Sequence, residues 1–404
     1  MINTIEEFRA DTRAWLESNC PESIRGPAKD GELVWGGSRI EFLNEAQRLW
    51  FERMRDRGWF CPDWPTAYGG GGLTPEQDSV LQQELKRLKC RPPQINLGIW
   101  MLGPVLLEFG TEEQKQRLLP PMTRGEVRWC QGFSEPNAGS DLANLRTSAV
   151  DAGDHYVVNG SKIWTSYGDK SDWMYCLVRT DPHAAKKQEG ISLVVLDMHA
   201  DGVEVRPIDL ISGKSAFCEV FFDNVKVPKD NLIGPLNGGW TLAKRLLQHE
   251  RSAMSKFGDF CLPNHFDLMA IVSRYIPEDS QSAADIMLRA KATELALNEQ
   301  AFNLSVRRMG EEARAGQDVS ATAAIMKLVH TEQEKQKFEL LVDVMGHRAL
   351  GWDGDEFSEQ ELAISKAWLL SYTQTISGGS SEVQLNVIAK RVLELPDAPK
   401  GGAK

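Results

Sequence analysis

The spacing of apolar residues changes twice along this chain, and that change restricts the fold more than any other feature. Residues 1–125 show the three-to-four-residue period of helices, residues 126–236 contain short β-prone runs, and residues 237–404 return to the helical period. Helices and strands do not alternate regularly, so a doubly wound parallel sheet is disfavoured. The 404 residues also exceed the roughly 250–300 at which a single hydrophobic core stops growing. We therefore predict a helical domain, a β domain and a helical bundle with these boundaries.

The first region carries clear helix-start signals. Thr4 followed by Glu7 is typical of a capping box, at the start of a helix that runs to Leu16. The segment from Cys61 to Leu73 is rich in Pro and Gly and predicts a loop. Further helices are expected over Ile40–Arg57, Pro75–Arg87 and Glu112–Leu119.

The central region predicts short strands separated by Gly, Asp and Pro. Asn159-Gly160 lies between two apolar runs within Asp154–Ile163, which favours a hairpin turn at that dipeptide. Runs of this length, spaced at close to ten residues, are typical of an antiparallel barrel or sandwich, here of about 110 residues. The other β-rich runs are Trp173–Arg179, Ile191–Met198, Val203–Ile208 and Phe217–Val227.

The third region predicts an up-down bundle, because short polar segments join its long helical patterns. The last pattern ends before Pro396, and the polar tail Asp397–Lys404 is expected to fray. The expected helices are Trp240–Met254, Ser282–Arg314, Ser320–Val344, Glu359–Ser371 and Ser381–Leu395.

Composition disfavours several classes of protein. With 46 Lys and Arg against 57 Asp and Glu, the net charge is −11, which argues against a nucleic-acid partner. The seven cysteines show no CxxC spacing and form no cluster with His, so we expect reduced thiols and no metal site. No stretch reaches the roughly 18 apolar residues of a membrane span, and the N-terminus lacks a signal-peptide pattern. A cytoplasmic location is therefore expected.

Two segments of the β region suit a bound ligand. In the loop Ser134–Asp141, Gly139 and Ser140 leave backbone N–H groups accessible to carbonyl or phosphate oxygens. Trp164 and Ser166 are two residues apart on a strand pattern and should share one face. The alternative for this pair is a buried core Trp beside a surface Ser.

A third segment, Ser377–Glu382, predicts a helix start. Ser380 or Ser381 can cap the helix, and the free N–H groups of a helix N-terminus suit an anion or a carbonyl dipole. A capped helix without a ligand is the alternative.

Four segments in this order resemble the acyl-CoA dehydrogenase family, and the resemblance extends over nearly the whole chain. It implies helical, β and helical domains, FAD as cofactor and α,β-dehydrogenation of an acyl-CoA. It also implies an electron-transferring flavoprotein as partner and a homo-oligomer, either a tetramer or a dimer. The segments are Gly132-Phe-Ser-Glu-Pro-Asn-Ala-Gly-Ser-Asp-Leu, Gly160-Ser-Lys-Ile-Trp-Thr-Ser, Phe222-Asp-Asn-Val-Lys-Val-Pro with Asn231-Leu-Ile-Gly, and Ile376-Ser-Gly-Gly-Ser-Ser-Glu-Val-Gln-Leu-Asn-Val-Ile-Ala-Lys-Arg-Val-Leu.

The same resemblance implies a set of ligand contacts. Gly346 lies in a Gly-rich turn that loosely matches the turn with which the family holds the adenine end of FAD. Many members also bind the FAD pyrophosphate through an Arg-x-x-Phe-Gly sequence. This chain lacks that sequence, and Arg274 is a weak substitute for its arginine. Ser140, Arg251 and Gly378 are expected to contact the substrate. The expected cofactor contacts are Gln131, Ser134, Gly139, Ser140, Trp164, Ser166, Gly346, Ser380 and Glu382.

The catalytic base is assigned by comparing two branches of the family. Many members carry a catalytic Glu in the C-terminal loop, where this chain has Gly378. A second branch, which includes isovaleryl- and long-chain-type enzymes, carries its Glu on the first long helix of the last domain, in a Glu-Arg pair. Gln248-His-Glu-Arg-Ser matches that branch, so Glu250 is the expected base. The alternative is a solvated Glu paired with Arg251.

Two other functions stay open at this point. One is a flavin enzyme of the same fold with oxidase, monooxygenase or desulfinase chemistry, which aerobic turnover without an added acceptor would distinguish. The other is one subunit of a hetero-oligomeric dehydrogenase, which the FAD content of the chain purified alone would distinguish. The sequence around Trp129 and the atypical third domain look more like bacterial enzymes for bulky or unusual acyl groups than like straight-chain enzymes.

Overall fold

The structure, a computed structural model, describes residues 4–28, 31–213, 215–256 and 266–396. The chain forms two compact units: one comprises Met1–Leu210 and Ser215–His265, the other Ile211–Lys214 and Phe266–Lys404. The tail that was expected to fray lies outside the described residues, and the boundaries at 125 and 236 stay predictions. The helices of the first unit are α1 (Ile5–Asn19), α2 (Glu45–Asp56), α3 (Pro75–Arg87), α4 (Gly103–Phe109), α5 (Glu112–Thr123) and α6 (Gly239–Lys256).

Side-chain caps decide where the N-terminal helices begin. Helix α1 starts with the predicted capping box of Thr4 and Glu7. Helix α2 starts later than the predicted Ile40, because the Asn44 side chain accepts a hydrogen bond from the Gln47 N–H at 3.0 Å. Helix α3 has the predicted bounds.

Helix α5 continues beyond the predicted Leu119, through Pro120 and its neighbouring proline. Leu119 and Met122 are fully buried. The Thr123 hydroxyl donates to the Pro120 carbonyl at 2.9 Å. The free energy gained by burying this last turn therefore exceeds the cost of the backbone hydrogen bonds that are lost because proline has no N–H.

A π-helical turn, Gly98–Leu102, leads into α4, and the apolar period predicts neither element. Both depend on glycines at close contacts. A Cβ at Gly98 would lie 2.4 Å from the Trp129 ring, and one at Gly103 would lie 1.9 Å from the Trp64 ring. The backbone here approaches the indoles more closely than any side chain would allow.

The central strands form a mixed sheet rather than a purely antiparallel one. The strands are β1 (Trp129–Gly132), β2 (Ser148–Asp151), β3 (His155–Ser166), β4 (Trp173–Arg179), β5 (Ile191–Asp197), β6 (Val203–Ile208), β7 (Phe217–Pro228) and β8 (Leu232–Ile233). In the described part of the chain these eight strands follow the order β6-β7-β3-β2-β4-β5-β8, with β1 also paired to β4. The fold class is confirmed, but the all-antiparallel pairing is wrong, since β1 and β2 run parallel to β4. Strands β2 and β3 lie between β1 and β4 in the chain. This connection allows β4 to run in the same direction as β1.

The predicted hairpin turn at Asn159-Gly160 is wrong. Strand β3 continues through both residues, and Gly160, at φ +142°, marks a shift in its register with β7. A Cβ there would lie 2.7 Å from Thr147, so the glycine permits a bulge in a central strand. The actual turn joins β2 to β3 around Gly153, whose N–H donates to Asp151 Oδ1 at 2.8 Å.

Strand β4 separates two apolar cores by the alternation of its side chains. Tyr175 and Leu177 belong to the core shared with the N-terminal helices and α6. Cys176 and Val178 point to the other face of the strand and belong to a second core, which is formed by side chains of the β region. This alternation directs Tyr175 to the side where α6 packs.

The second unit is helical, as predicted. Helix α10 begins with a capping box in which Ser358 and Glu361 bond reciprocally. Helix α11 begins at the predicted Ser381 but gives way to a π-helical turn after Val387. The helices are α7 (Leu268–Tyr275), α8 (Ala283–Arg314), α9 (Ser320–Met345), α10 (Glu359–Gln374) and α11 (Ser381–Val387).

Three further features concern thiols, membranes and metals. Each of the six described cysteines is a buried free thiol, and Cys261 lies outside the described residues. None of the helices described combines the length and the hydropathy of a transmembrane span. Among the residues that the structure describes, no three metal-binding side chains lie together.

Candidate active site

The expected base Glu250 lies at the end of a buried stripe on α6. Leu242, Ala243 and Leu246 are at most 2% exposed, and Glu250 lies one helical turn beyond Leu246 on the same side. Glu250 itself is half-buried. Its carboxylate therefore stands at the border of an apolar surface, where a general base is desolvated more than on an open helix face.

The charge of this carboxylate acts on a buried tyrosine. Tyr175 on β4 is fully buried, and its hydroxyl lies 3.1 Å from Met101 Sδ and 3.4 Å from Gln131 Oε1. Burial raises the pKa of Tyr175 well above its ordinary value, and the negative charge of Glu250 raises that pKa further. The Glu250 charge therefore influences the Tyr175 hydroxyl, which lies beside Gln131. Sequence reasoning missed Tyr175, because a tyrosine within an apolar strand carries no distinguishing signal.

A buried ion pair supports the loop Ser134–Asp141. Lys162 is fully buried, and its ammonium donates to Glu135 Oε1 at 2.8 Å. Glu135 also accepts the backbone N–H groups of Arg146 and Thr147 at 2.6 and 2.9 Å. Burial raises the pKa of Glu135, but the Lys162 charge and these hydrogen bonds more than offset burial and hold it below its ordinary value. No sequence signal predicts this pair, although both residues lie inside the segments that resemble the family.

The outer edge of the same loop is open. The Ser134 carbonyl accepts the Ile163 N–H at 2.9 Å and ties the loop to β3. Gly139 and Ser140 are exposed, and no atom lies within 4 Å of the place where a Cβ of Gly139 would be. There is therefore room for a ligand beside Gly139, and the contact itself stays a prediction.

Trp164 lies at the exposed end of β3. Its side chain is 54% exposed, so it is not the core residue of the alternative interpretation. Trp164 has φ +61°, within a register shift between Lys162 and Thr165, and its ring meets Phe217 edge to face. Thr165 is buried whereas Trp164 and Ser166 are not, which agrees with a shared outward face for the latter two.

A buried arginine supports the turn that follows Ser166. The Arg128 guanidinium lies 4.4 Å from the ring centre of Trp35 and 5.1 Å from that of Tyr167. Arg128 is 8% exposed, and burial lowers its pKa to about 10 while Tyr167 and nearby acids oppose that change. Asp172 accepts the Arg128 N–H at 2.7 Å and also binds Ser38. No sequence signal predicts this cluster, since its members are far apart in the chain.

The C-terminal loop of the second unit is held by one lysine. Lys327 on α9 donates to the carbonyls of Gln374 and Gly379 at 3.2 and 2.7 Å. Burial lowers the pKa of Lys327, while Glu332 opposes that change. Ser380 caps α11 through the Val383 N–H at 3.4 Å, as the sequence predicts.

The expected ligand contacts are divided between the two units. Gln131, Ser134, Gly139, Ser140, Trp164 and Ser166 lie in the first unit with Glu250. Gly346, Gly378, Ser380 and Glu382 lie in the second unit, where Gly346 ends α9 with φ +55° and Glu382 is exposed in the first turn of α11. The Arg251 side chain lies outside the described part of the chain.

Helical, β and helical regions in this order, with a loop of open backbone donors and an exposed tryptophan at a strand end, are the features of a flavin-binding oxidoreductase. The acyl-CoA dehydrogenase N-terminal, middle and C-terminal domain models match residues 5–126, 130–225 and 237–393. The chain belongs to the acyl-CoA dehydrogenase family, whose members are FAD-dependent oxidoreductases.

Relatives and solved structures agree with this family. The chain is 32% identical to acyl-CoA dehydrogenase IpdE1 of Mycolicibacterium smegmatis over 98% of its own length and 99% of that protein. It is 38% identical to acyl-CoA dehydrogenase FadE34 of Mycobacterium tuberculosis over 90% of its length, and it spans 48% of that longer protein. Among solved structures, the Tcur3481-Tcur3483 steroid ACAD matches at TM-score 0.73, with 26% identity over 98% of both chains. The ChsE4-ChsE5 complex from Mycobacterium tuberculosis matches at TM-score 0.71, with 25% identity over 98% of this chain and 99% of that one.

The described residues fit the flavin end of FAD. An indole more than half exposed at a strand end offers a stacking surface, and the free backbone at Gly139 offers donors to ring carbonyls. The Gln131 side chain is half-buried and its Oε1 faces the Tyr175 hydroxyl. These features combine a flat apolar surface with hydrogen-bonding groups, as a flavin requires.

Proposed function

We propose that this protein oxidises the Cα–Cβ bond of an acyl-CoA thioester to the 2-enoyl-CoA, with Glu250 as the base. The observation that carries the proposal is the position of Glu250, half-buried at the end of an apolar stripe and close enough to the buried Tyr175 to raise its pKa. Gln131 and the loop that begins at Ser134 lie in the same unit. Electrons leave through an electron-transferring flavoprotein.

The chain's own groups account for orientation and proton transfer. A proton α to a thioester carbonyl is weakly acidic, so its removal needs a carboxylate held at hydrogen-bonding distance. Glu250 takes this proton from Cα and becomes a neutral carboxylic acid, while a hydride leaves Cβ and the double bond forms. When bound, FAD supplies the acceptor for that hydride.

The remaining predicted residues bind and orient the ligands. Trp164 and Ser166 hold the flavin ring from the end of β3, and Ser134 and Gly139 bind it through the open loop. Ser140, Arg251 and Gly378 contact the thioester substrate. Gly346, Ser380 and Glu382 are the other proposed cofactor contacts.

A bulky acyl group is the proposed substrate class. The matched structures include one called a steroid ACAD, and this supports the sequence-based expectation of bulky or unusual acyl groups. We expect kcat/KM for a CoA thioester with a fused-ring side chain to exceed that for straight-chain thioesters of four to sixteen carbons. Enoyl-CoA formation across such a panel measures this, and a preference for the straight chains would contradict it.

The substitution Glu250→Gln tests the base. Glutamine keeps the shape of glutamate but cannot take a proton, and removal of a general base typically costs about 10²–10⁴-fold in rate. We expect normal FAD content and a nearly complete loss of anaerobic flavin bleaching by substrate in stopped flow.

The control Glu204→Gln removes an equally large acid from an exposed pair with Arg206 on β6 and should leave bleaching unchanged. If Glu250→Gln keeps more than about a tenth of the wild-type reduction rate, Glu250 is not the base.

A second candidate function is one subunit of a two-chain dehydrogenase. The matched Tcur3481-Tcur3483 and ChsE4-ChsE5 structures each carry the names of two proteins, and this observation favours the two-chain function. The chain expressed alone would then purify without FAD or without activity, and co-expression with a second chain would restore both. A homo-oligomer with about one FAD per chain and full activity supports the first proposal instead.

A further inference from the structure

A three-residue ionic cluster joins α4 to α6 one residue before Glu250. Arg245 donates to Glu108 through Nε and Nη2, at 2.7 and 2.8 Å, in a bidentate pair. His249 Nε2 lies 3.1 Å from Glu108 Oε1. We call Glu108, Arg245 and His249 the Glu108 cluster. Their side chains are 33%, 37% and 21% exposed, so the cluster is partly shielded from water.

The cluster holds one turn of α6 at two points. Arg245 and His249 are four residues apart and project from the same side of the helix, so Glu108 spans a full helical turn. Glu250 follows directly, about 100° further around the helix. Any rotation of this turn that breaks the contact with Glu108 also moves the Glu250 carboxylate.

Charge favours the ionised form of Glu108. Arg245 lowers the pKa of Glu108 below its ordinary value, burial opposes that change, and His249 adds to it. Glu250 is the one acidic residue in the sequence of α6. When Glu108 loses its charge, Arg245 and His249 lose their carboxylate partner. Arg245 keeps the neutral acceptor Gln248 Oε1 at 2.7 Å. Glu250 is then the carboxylate on their own helix with which both can pair.

We propose that Glu108 is a positioning residue, which orients the Glu250 carboxylate by fixing Arg245 and His249 on the preceding turn of α6. The inference rests on the proposed function, in which Glu250 is the base. A partly exposed ion pair contributes little to global stability, so the effect of Glu108 is on alignment. A misplaced catalytic group costs up to about 100-fold in rate.

The test uses the holoenzyme and a 3-thia-acyl-CoA, in which sulfur replaces Cβ so that no hydride can leave. Exchange of its Cα protons with D2O, followed by NMR, then reports the base alone. We expect Glu108→Gln to slow this exchange, and the flavin reduction by the true substrate, by about 10- to 100-fold. FAD content should be unchanged, and the dissociation constant of the thioester should stay within about twofold.

Two further variants separate alignment from loss of folding. Arg245→Gln breaks the same contact from the other side and should slow exchange to a similar extent. The charge swap, Glu108→Arg with Arg245→Glu, rebuilds the pair between positions 108 and 245 but not the contact with His249, and it should recover part of the rate. The matched control is Glu126→Gln, which breaks the exposed bidentate pair with Arg124 at 2.7 Å and should change nothing.

The outcomes distinguish this inference from the proposed function. If Glu250→Gln abolishes exchange while Glu108→Gln and Arg245→Gln keep it within about twofold of wild type, Glu108 does not position the base. If Glu250→Gln itself exchanges normally, the proposed function fails first and the inference fails with it. Slow exchange in both single variants with recovery in the swap supports the inference.

Discussion

At the scale of single residues, the buried pair of Lys162 and Glu135 shows how a charged contact can support a binding loop. Lys162 is fully buried, and the Glu135 side chain is 9% exposed. Two charges away from water are tolerable only when each has its hydrogen bonds, and Glu135 has two backbone donors besides the ammonium. The pair holds the start of the loop that carries Gly139.

The substitution Lys162→Met should lower the free energy of unfolding by about 3–5 kcal/mol at pH 7, because it leaves the Glu135 carboxylate buried without its cation. In the wild type the pKa of Glu135 lies below its ordinary 4.5, so its stabilisation is present above that pH and is lost in more acid solution. The difference between variant and wild type should therefore shrink as pH falls below 4.5. Urea unfolding between pH 3 and 7 measures it.

Two controls belong to that experiment. The double change Lys162→Met with Glu135→Gln removes both charges and should recover part of the lost stability. Lys186→Met breaks a pair with Glu189 whose side chains are 74% and 53% exposed, and it should cost less than about 1 kcal/mol. Equal costs for Lys162→Met and Lys186→Met would contradict the argument.

What the sequence predicted correctly was decided locally. The box of Thr4 and Glu7 and the cap at Ser380 depend on residues three apart, so their pattern is visible in the chain itself. The turn at Gly160 was wrong because pairing with β7 continues the strand through it. Tyr175 was missed because its distinguishing feature, a hydroxyl near Glu250, exists only after α6 packs on the sheet. Glu108 is hidden for the same reason.

At the scale of elements, the loop between α10 and α11 depends on backbone geometry. Gly378 and Gly379 have backbone φ angles of +63° and +96°, which residues with a side chain rarely adopt. A glutamate at Gly378 would be strained by roughly 1–2 kcal/mol. Moving the base to this loop would therefore weaken the fold of the loop, even though no atom crowds a Cβ at Gly378.

The substitution Lys327→Met should loosen this loop, because it removes the donor to two of its carbonyls. We expect a loss of about 1–2 kcal/mol in unfolding free energy and weaker retention of FAD on dilution. Lys291→Met on the exposed side of α8 is the control and should change neither. Unchanged FAD retention in Lys327→Met would show that the loop does not hold the cofactor.

At the scale of the whole molecule, helix α8 carries apolar residues that face solvent in a single chain. Ile286, Leu297 and Leu304 are 48%, 62% and 58% exposed. Leu297 lies 11 residues after Ile286, and Leu304 lies 7 residues after Leu297. These spacings place the three side chains within about 20° of one line along the helix. The stripe is roughly 27 Å long. Scattered apolar side chains are ordinary on a surface, but an aligned stripe of this length is where we expect the proposed homo-oligomer to form its contact.

The double substitution Leu297→Lys and Leu304→Lys should dissociate the proposed homo-oligomer. Burying one leucine contributes about 1.5–3 kcal/mol, and each change removes that burial from every copy of a symmetric contact while adding like charges. Light scattering at micromolar concentration should give a lower mass for the variant than for the wild type. Leu43→Lys, at a side chain of the first unit that is 66% exposed, should keep the wild-type mass. A double variant that also keeps it would place the interface elsewhere, and a monomeric wild type with bound FAD would contradict the homo-oligomer itself.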